Sequence, residues 1–379
     1  MLNFLTAGES HGRALVGILE GFPKGVRVSE DFINKELERR QSGFGRGPRM
    51  KIEKDQVEIL SGLRGGKTLG SPIAFLIRNK DAQIEPFLED NLPPLTVPRP
   101  AHTDLPGALK YQDKDIRNIL ERASARETAL RVVAGAICKQ LLKEFKIEIL
   151  SHVVGLGKRV LPKKSLTIEE IRKRIRGSLL NCIDRKKEKE MIAQIKKAQI
   201  QGDTLGGIIE VVIEGLSPGL GSFMGWKDRL DARLSYALVS IPAVKGVEFG
   251  LGFDYAKLRG SQAHDEIFYS KRKGFYYKTN NAGGILGGLS TSQPIVIRIA
   301  MKPIATLKEP LSSVDLITHK KKKAPPIRSD VTAVVACGVI AEAMSAFIIA
   351  QALLEKFSSD TLSELKKSYN SYLKTLKNF

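Results

Sequence analysis

The sequence predicts an α+β fold in which strands from both halves of the chain surround long apolar helices. Four short runs read as strands: Ile73-Ala-Phe-Leu-Ile77, Gly207-Ile-Ile-Glu-Val-Val-Ile-Glu-Gly215, Gly246-Val-Glu-Phe-Gly250 and Ile295-Val-Ile-Arg-Ile-Ala-Met301. Helical periodicity is clearest over residues 124–145, where Leu130, Val133, Ile137 and Leu141 form one stripe, and in the long run after Asp330. The two helices open alike, with Arg122-Ala-Ser124 before one and Arg328-Ser-Asp330 before the other, which hints at duplicated halves.

In chain order, a short apolar N-terminal strand runs into Gly8-Glu-Ser-His-Gly12. It lacks the basic start and apolar stretch of a signal peptide. Ser61-Gly-Leu-Arg-Gly-Gly-Lys-Thr68 is one residue short of a phosphate-binding P-loop and reads as a glycine turn leading into the strand at Ile73. Residues 85–106 hold six prolines and are expected to form a long surface loop. The charges of residues 172–197 suit a solvated helix face. Gly283-Gly-Ile-Leu-Gly-Gly288 lacks the spacing of the dinucleotide fingerprint. Lys320-Lys-Lys-Lys323 before Pro325-Pro326 reads as another loop. Residues 331–354 are long and apolar enough to resemble a membrane span. Glu342 and Gln351 interrupt them, and Ala336, Gly338, Ala341, Ala343 and Ala346 let neighbours approach closely, so a buried central helix is expected. A polar helical tail covers about residues 356–379. No composition break marks a linker, and residues 1–379 are read as one domain.

The formal net charge is +20, which invites a nucleic-acid reading, since dense basic surface binds phosphate backbones nonspecifically. Aromatic residues are only 6% of the chain and do not interleave with basic ones as single-strand platforms require, so no nucleic-acid partner is expected. Cys138, Cys182 and Cys337 form no CxxC pair, which argues against a metal site or redox dithiol and suits a reducing cytoplasm.

His11 and His102 both lie on Gly- or Pro-rich turns, where an exposed ring suits acid–base work as readily as a surface role. Arg39, Arg40, Arg46 and Arg49 flank Gly43-Phe-Gly-Arg-Gly-Pro48. Arginine forks match phosphate and carboxylate oxygens at two points, while a solvated basic loop is the plain alternative. Ser124 and Asp330 suit helix N-caps, and an arginine two residues upstream makes each helix start a candidate anion site.

Gly8-Glu-Ser-His-Gly12 through Gly21-Phe-Pro23, Glu121-Arg-Ala-Ser-Ala-Arg-Glu-Thr128 and Arg328-Ser-Asp-Val-Thr332 together resemble the three signatures of the chorismate synthases. Ser42-Gly-Phe-Gly-Arg-Gly-Pro-Arg-Met50, Gly246-Val-Glu-Phe-Gly250, Asn280-Asn-Ala-Gly-Gly-Ile-Leu-Gly-Gly288 and Lys302-Pro-Ile-Ala-Thr306 resemble the family too, so the likeness covers about residues 1–355. Departures are few: Ala101 and Thr103 flank His102 where many members carry glycine and alanine, and Cys337 replaces a smaller apolar residue.

The resemblance implies a β-α-β sandwich, with central helices between two antiparallel sheets, assembled as a homotetramer. It implies an anti 1,4-elimination of phosphate from 5-enolpyruvylshikimate 3-phosphate that needs reduced FMN without net redox change. By the same likeness His11 would protonate the leaving phosphate, His102 would protonate or stabilise the reduced flavin, and Asp330 would assist proton removal. Ser10, Arg40, Arg46, Ser124, Arg126, Arg131 and Arg328 would hold the substrate. Arg122, Ala123, Ser124, Gln262, Ala263, Gly287, Lys302, Pro303, Ile304, Ala305, Thr306 and Arg328 would contact the flavin. Some relatives reduce flavin with NADPH; this chain shows no dinucleotide fingerprint or added domain, so no intrinsic reductase is expected, and the source of reduced FMN is left open to an external flavin reductase.

Overall fold

The structure, a computed structural model, describes residues 1–47, 54–80, 92–326 and 330–379. One antiparallel sheet is built from β1 (Asn3–Ala7), β2 (Ala14–Glu20), β3 (Glu58–Ile59) and β4 (Ile73–Arg78) in the order β1-β2-β4-β3. Leu15 and Leu19 alternate with Val16 and Ile18 along β2, so one face turns to the core and the other stays open. The second antiparallel sheet contains β5 (Glu148–Leu156), β6 (Arg159–Val160), β7 (Gly207–Glu214), β8 (Val244–Phe249) and β9 (Ile295–Met301), ordered β8-β9-β7-β5-β6. Both of its faces are partly covered, because helix Ile168–Ile175 packs Ile168 and Ile171 on Leu150 and Val212. That explains why β7 reads as an almost continuous apolar run.

Between the sheets lie α1 (Glu30–Gln41), α2 (Thr128–Lys143) and α3 (Val334–Phe357). Helix α2 packs on β2 and β4, α3 packs on β5 and β7, α2 and α3 pack on each other, and α1 leans on both. The chain up to residue 143 thus supplies one sheet and α2, and the chain from residue 148 supplies the other sheet and α3, making the expected sandwich. Where α2 meets α3, a Cβ on Gly135 would fall 2.3 Å from the Cβ of Ala343, so only glycine allows the two backbones this separation.

The membrane-like run is α3, and it is a core helix. Its charged interruption is a buried ion-pair cluster. Glu342 is fully buried, with Arg39 Nη2 at 2.8 Å, Lys139 Nζ at 2.6 Å, and the amide and hydroxyl of Ser151 donating to it at 2.9 and 2.7 Å. The two cations hold its carboxyl down at about 2 against the opposing effect of burial.

Several local expectations need correction. Lys321–Lys323 is a strand paired with Ser312–Val314, and the Pro-rich stretch ends in helix Asp104–Tyr111. Pro106 sits in that helix's first turn, where a missing N–H breaks no intrahelical bond. The tail helix Leu362–Lys377 buries Leu365 and Tyr369, with Tyr369 edge-on to Phe145 and Phe357.

On the second sheet His152, Glu210 and Arg298 stand in register, with Arg298 Nε 2.6 Å and His152 Nε2 3.5 Å from the Glu210 carboxylate. Burial, aided by Arg298, pushes His152 down to about 4. Its unfolded value is near 6.5, so the unfolded chain takes up this proton first, and stability falls as pH drops from about 6.5 to about 4, by about 3 kcal/mol. Urea midpoints across that range should fall more steeply for the parent protein than for His152→Gln. Equal slopes would show that the imidazole is not buried neutral.

Candidate active site

The site forms at the end of the sandwich where α2 and α3 begin. The loop after β1 turns at Gly8 and docks on the last turn of helix Arg117–Ala123, where Ser10 N donates to Glu121 O at 3.1 Å. The His11 amide donates to Glu121 Oε2 at 2.8 Å, and His11 Nδ1 lies 2.8 Å from Glu121 Oε1. The Ser10 and Ser124 hydroxyls meet at 3.2 Å. Ser124 is the N-cap of the turn Ala125–Glu127, accepting from Arg126 N at 3.3 Å, so the capping expectation holds and its hydroxyl still reaches Ser10. Asn79 braces the loop by donating to the carbonyls of Glu9 and Gly12, at 3.1 and 2.8 Å.

Around this loop the arginines converge. Arg126 donates to Asn79 Oδ1 at 2.9 Å and to Asp55 Oδ1 at 2.5 Å, and Arg40 shares Asp55 at 3.4 Å while donating to Thr128 Oγ1 and to Ala125 O. Arg46 pairs with Asp330 at 2.9 Å, and Gly47 N also donates to Asp330. Burial, reinforced by Arg46 and Arg126, pushes Arg40 down to about 10 although Asp55 opposes it, and burial also lowers Arg46. Burial thus raises the cost of the charged form of Arg40 and Arg46, a cost that a bound anion would offset. The backbone at Gly43, at φ +111°, passes so close to α3 that a Cβ would meet Val335 Cβ at 2.8 Å; this places Arg46 against the start of that helix.

The N-cap of α3 is Ala333, so Asp330 is not its cap; it lies before the helix and acts as the partner of Arg46. Arg131 pairs with Glu127 at 2.9 Å and donates to Ser240 Oγ at 2.8 Å. Beyond Ser240, Lys302 N donates to Ala243 O and Lys302 Nζ to Ala101 O, which ties the end of β9 to the His102 turn. His102 Nδ1 lies 2.5 Å from Asp104 Oδ1, a fully buried carboxylate gripped by Arg99 Nε at 2.7 Å and Nη2 at 2.9 Å. Arg99 and His102 hold Asp104 far below the usual carboxylate range against the opposing effect of burial. Ala101 has a φ of +63°, a left-handed conformation that costs alanine on the order of 1 kcal/mol and glycine nothing.

The other expected contacts divide. Lys302, Pro303, Ile304, Ala305 and Thr306 follow β9 at this same end, where Thr204 donates to Ile304 O at 2.8 Å. Ala123 sits beside Ser124, but the Arg122 guanidinium is bonded to Thr6 O, Thr6 Oγ1 and Gly8 O, so it braces β1. Gln262, Ala263 and Gly287 lie at the opposite end of the second sheet. Ala263 O accepts from Asn281, whose carbonyl binds Leu251 just past β8, and the hairpin around Gly287 leads into Ile295. The seven residues of β9, about 20 Å of strand, separate that end from Lys302. Arg328 lies outside the described residues, as does Arg49. Sequence reasoning missed Asp55, Asn79, Asp104, Glu127 and the carboxylate role of Glu121; the proximity of Asp104 to His102 and the four-residue spacing of Glu127 and Arg131 were the local signals.

A profile of the chorismate synthase family matches residues 2–354, which include this whole constellation. The chain belongs to that family. A chorismate synthase of Alkaliphilus metalliredigens is 53% identical over 378 residues, covering 98% of this chain and 99% of the relative. One from Aquifex aeolicus is 49% identical, covering 100% and 99%. A crystal structure of chorismate synthase superposes with a TM-score of 0.83 at 42% identity, covering 100% of this chain and 99% of that one. In the chorismate synthase fold as this chain adopts it, the basic cluster, both histidines and the two core-helix starts share one end of the sandwich.

Proposed function

We propose that this chain catalyses the anti 1,4-elimination of phosphate from 5-enolpyruvylshikimate 3-phosphate to give chorismate. It is a carbon–oxygen lyase of the shikimate pathway, which leads to the aromatic amino acids. The carrying observation is the convergence of Arg40, Arg46 and Arg126 beside His11 and Ser10, because a substrate with one phosphate and two carboxylates needs fixed cations next to a proton donor. Asp55 bridges two of these arginines and so presets their spacing. His11 would donate its Nε2 proton to the departing phosphate. Ser10 and Ser124 would hydrogen-bond the substrate, and Asp330, once loosened from Arg46, would accept the ring proton.

The donor set fits reduced FMN in part. Ser124, Lys302 and Thr306 are hydroxyl and cationic groups suited to a flavin phosphate and ring edge, and His102 on its Asp104 support stands at the same end. When bound, the reduced flavin supplies transient electron density that helps expel phosphate. Gln262, Ala263 and Gly287 cannot join this group within one chain, so they would reach the flavin only from a second copy. The homotetramer that the family resemblance implies would accommodate that. Leu5, Val16 and Ile18 also leave an apolar strip exposed on the first sheet, with Leu5 opposite Ile18 and Val16 opposite Ala7, a surface suited to contact between copies.

Anaerobic incubation with the phosphorylated substrate and chemically reduced FMN, on protein whose mass in solution is measured by light scattering, should yield chorismate and phosphate in equal amounts from a tetramer. An oxidised-FMN control should yield neither. Folded protein that makes no product with reduced flavin would overturn the reading.

A further inference from the structure

Among the described residues, Glu121 meets the catalytic loop at three points, yet the proposed chemistry gives it no step. Its carboxylate binds both the His11 amide and Nδ1, each at 2.8 Å, and its carbonyl accepts from Ser10 N at 3.1 Å. Its side chain is 5% exposed, while that of His11 is 29% exposed. The arrangement therefore has a buried side facing the carboxylate and an open side facing the ligand. We infer that Glu121 is a positioning residue that fixes the His11 imidazole in the Nδ1–H form and aims Nε2 at the leaving phosphate.

The physical reason is the geometry of a single carboxylate with two acceptor oxygens. A carboxylate only accepts, so Nδ1 must carry the hydrogen of the ring contact. The second oxygen binds the backbone of the same residue, which ties ring and main chain to one rigid partner and removes the ring rotation that would turn Nε2 away. Delivering a proton from Nε2 requires a hydrogen on both ring nitrogens, and the carboxylate is the acceptor for the one on Nδ1. The partner comes from helix Arg117–Ala123, itself held by Ser124 against Ser10, so the support is built into the helical scaffold. An amide at this position would keep the shape but could present its NH2 group to Nδ1, favouring the wrong tautomer.

The inference rests on the proposed reaction, and the test separates the two. With parent protein shown to release phosphate anaerobically, Glu121→Gln should lower kcat on the order of 10–100-fold, as loss of a histidine-orienting partner does elsewhere, with KM and melting temperature close to the parent values. Glu121→Asp, which keeps the charge, should recover part of the loss. In a His11→Ala background, Glu121→Gln should have no further effect on kcat, because the residue acts through the ring. Unchanged kcat in Glu121→Gln, or an undiminished additional loss in the His11→Ala background, would overturn the assignment. Failure of the parent protein to turn over would instead overturn the reaction itself.

Discussion

His11→Ala is expected to lower turnover by about 10²–10⁴-fold, with substrate and flavin binding retained. The imidazole is the ionisable group on the Gly8-Glu-Ser-His-Gly12 turn that is both exposed toward the site and backed by a buried carboxylate. The arginines that would hold the anions are fixed by Asp55, Asn79, Thr128 and Asp330, none of which bonds to the His11 ring among the described contacts. Losing the ring should therefore remove a proton donor without dispersing the cations. Anaerobic phosphate release gives kcat, and substrate titration followed by calorimetry gives affinity. Unchanged turnover would remove the acid role; a collapse of binding together with turnover would make His11 a binding residue.

Glu342→Ala is expected to destabilise the fold by about 3–5 kcal/mol. The carboxylate is fully buried between Arg39 and Lys139, and its removal leaves two cations sharing Glu36 alone and the Ser151 amide without its acceptor. Replacing Glu36, Arg39, Lys139 and Glu342 together by apolar residues of similar volume should cost much less, since no charge is then stranded. The sign with pH follows from the lowered carboxyl: the contribution is present above the unfolded value of 4.5 and is lost as pH falls through about 2. Urea unfolding at neutral pH checks the first claim. A shift below about 1 kcal/mol would show that water or a rearranged side chain takes the place of Glu342.

Much of this fold is legible in local pattern. The run Ile295–Met301 is a strand with the bounds its alternation suggests, and the stripe Leu130, Val133, Ile137 and Leu141 is buried on α2. Backbone periodicity reports burial on one face, so such elements declare themselves over a few residues. Strand β5 and helix α1 were harder to see. His152 and Glu148 interrupt the first, and α1 mixes charged residues through nearly every turn. His152 is tolerated inside because Glu210 and Arg298 meet it from neighbouring strands.

The sequence by itself determined the family, its signature residues and the apolar helix at residues 331–354, because motifs and periodicity are local properties of the chain. Tertiary structure alone decided which charges answer one another. Glu121 reaches His11 across 110 residues and Arg39 reaches Glu342 across 303, separations at which spacing carries no trace of contact. It also decided that Gln262, Ala263 and Gly287 stand a full strand length from Lys302, although motif likeness had grouped them in one site. The physical reason is that electrostatic pairing and site assembly depend on distance in space, while a sequence displays only distance along the chain.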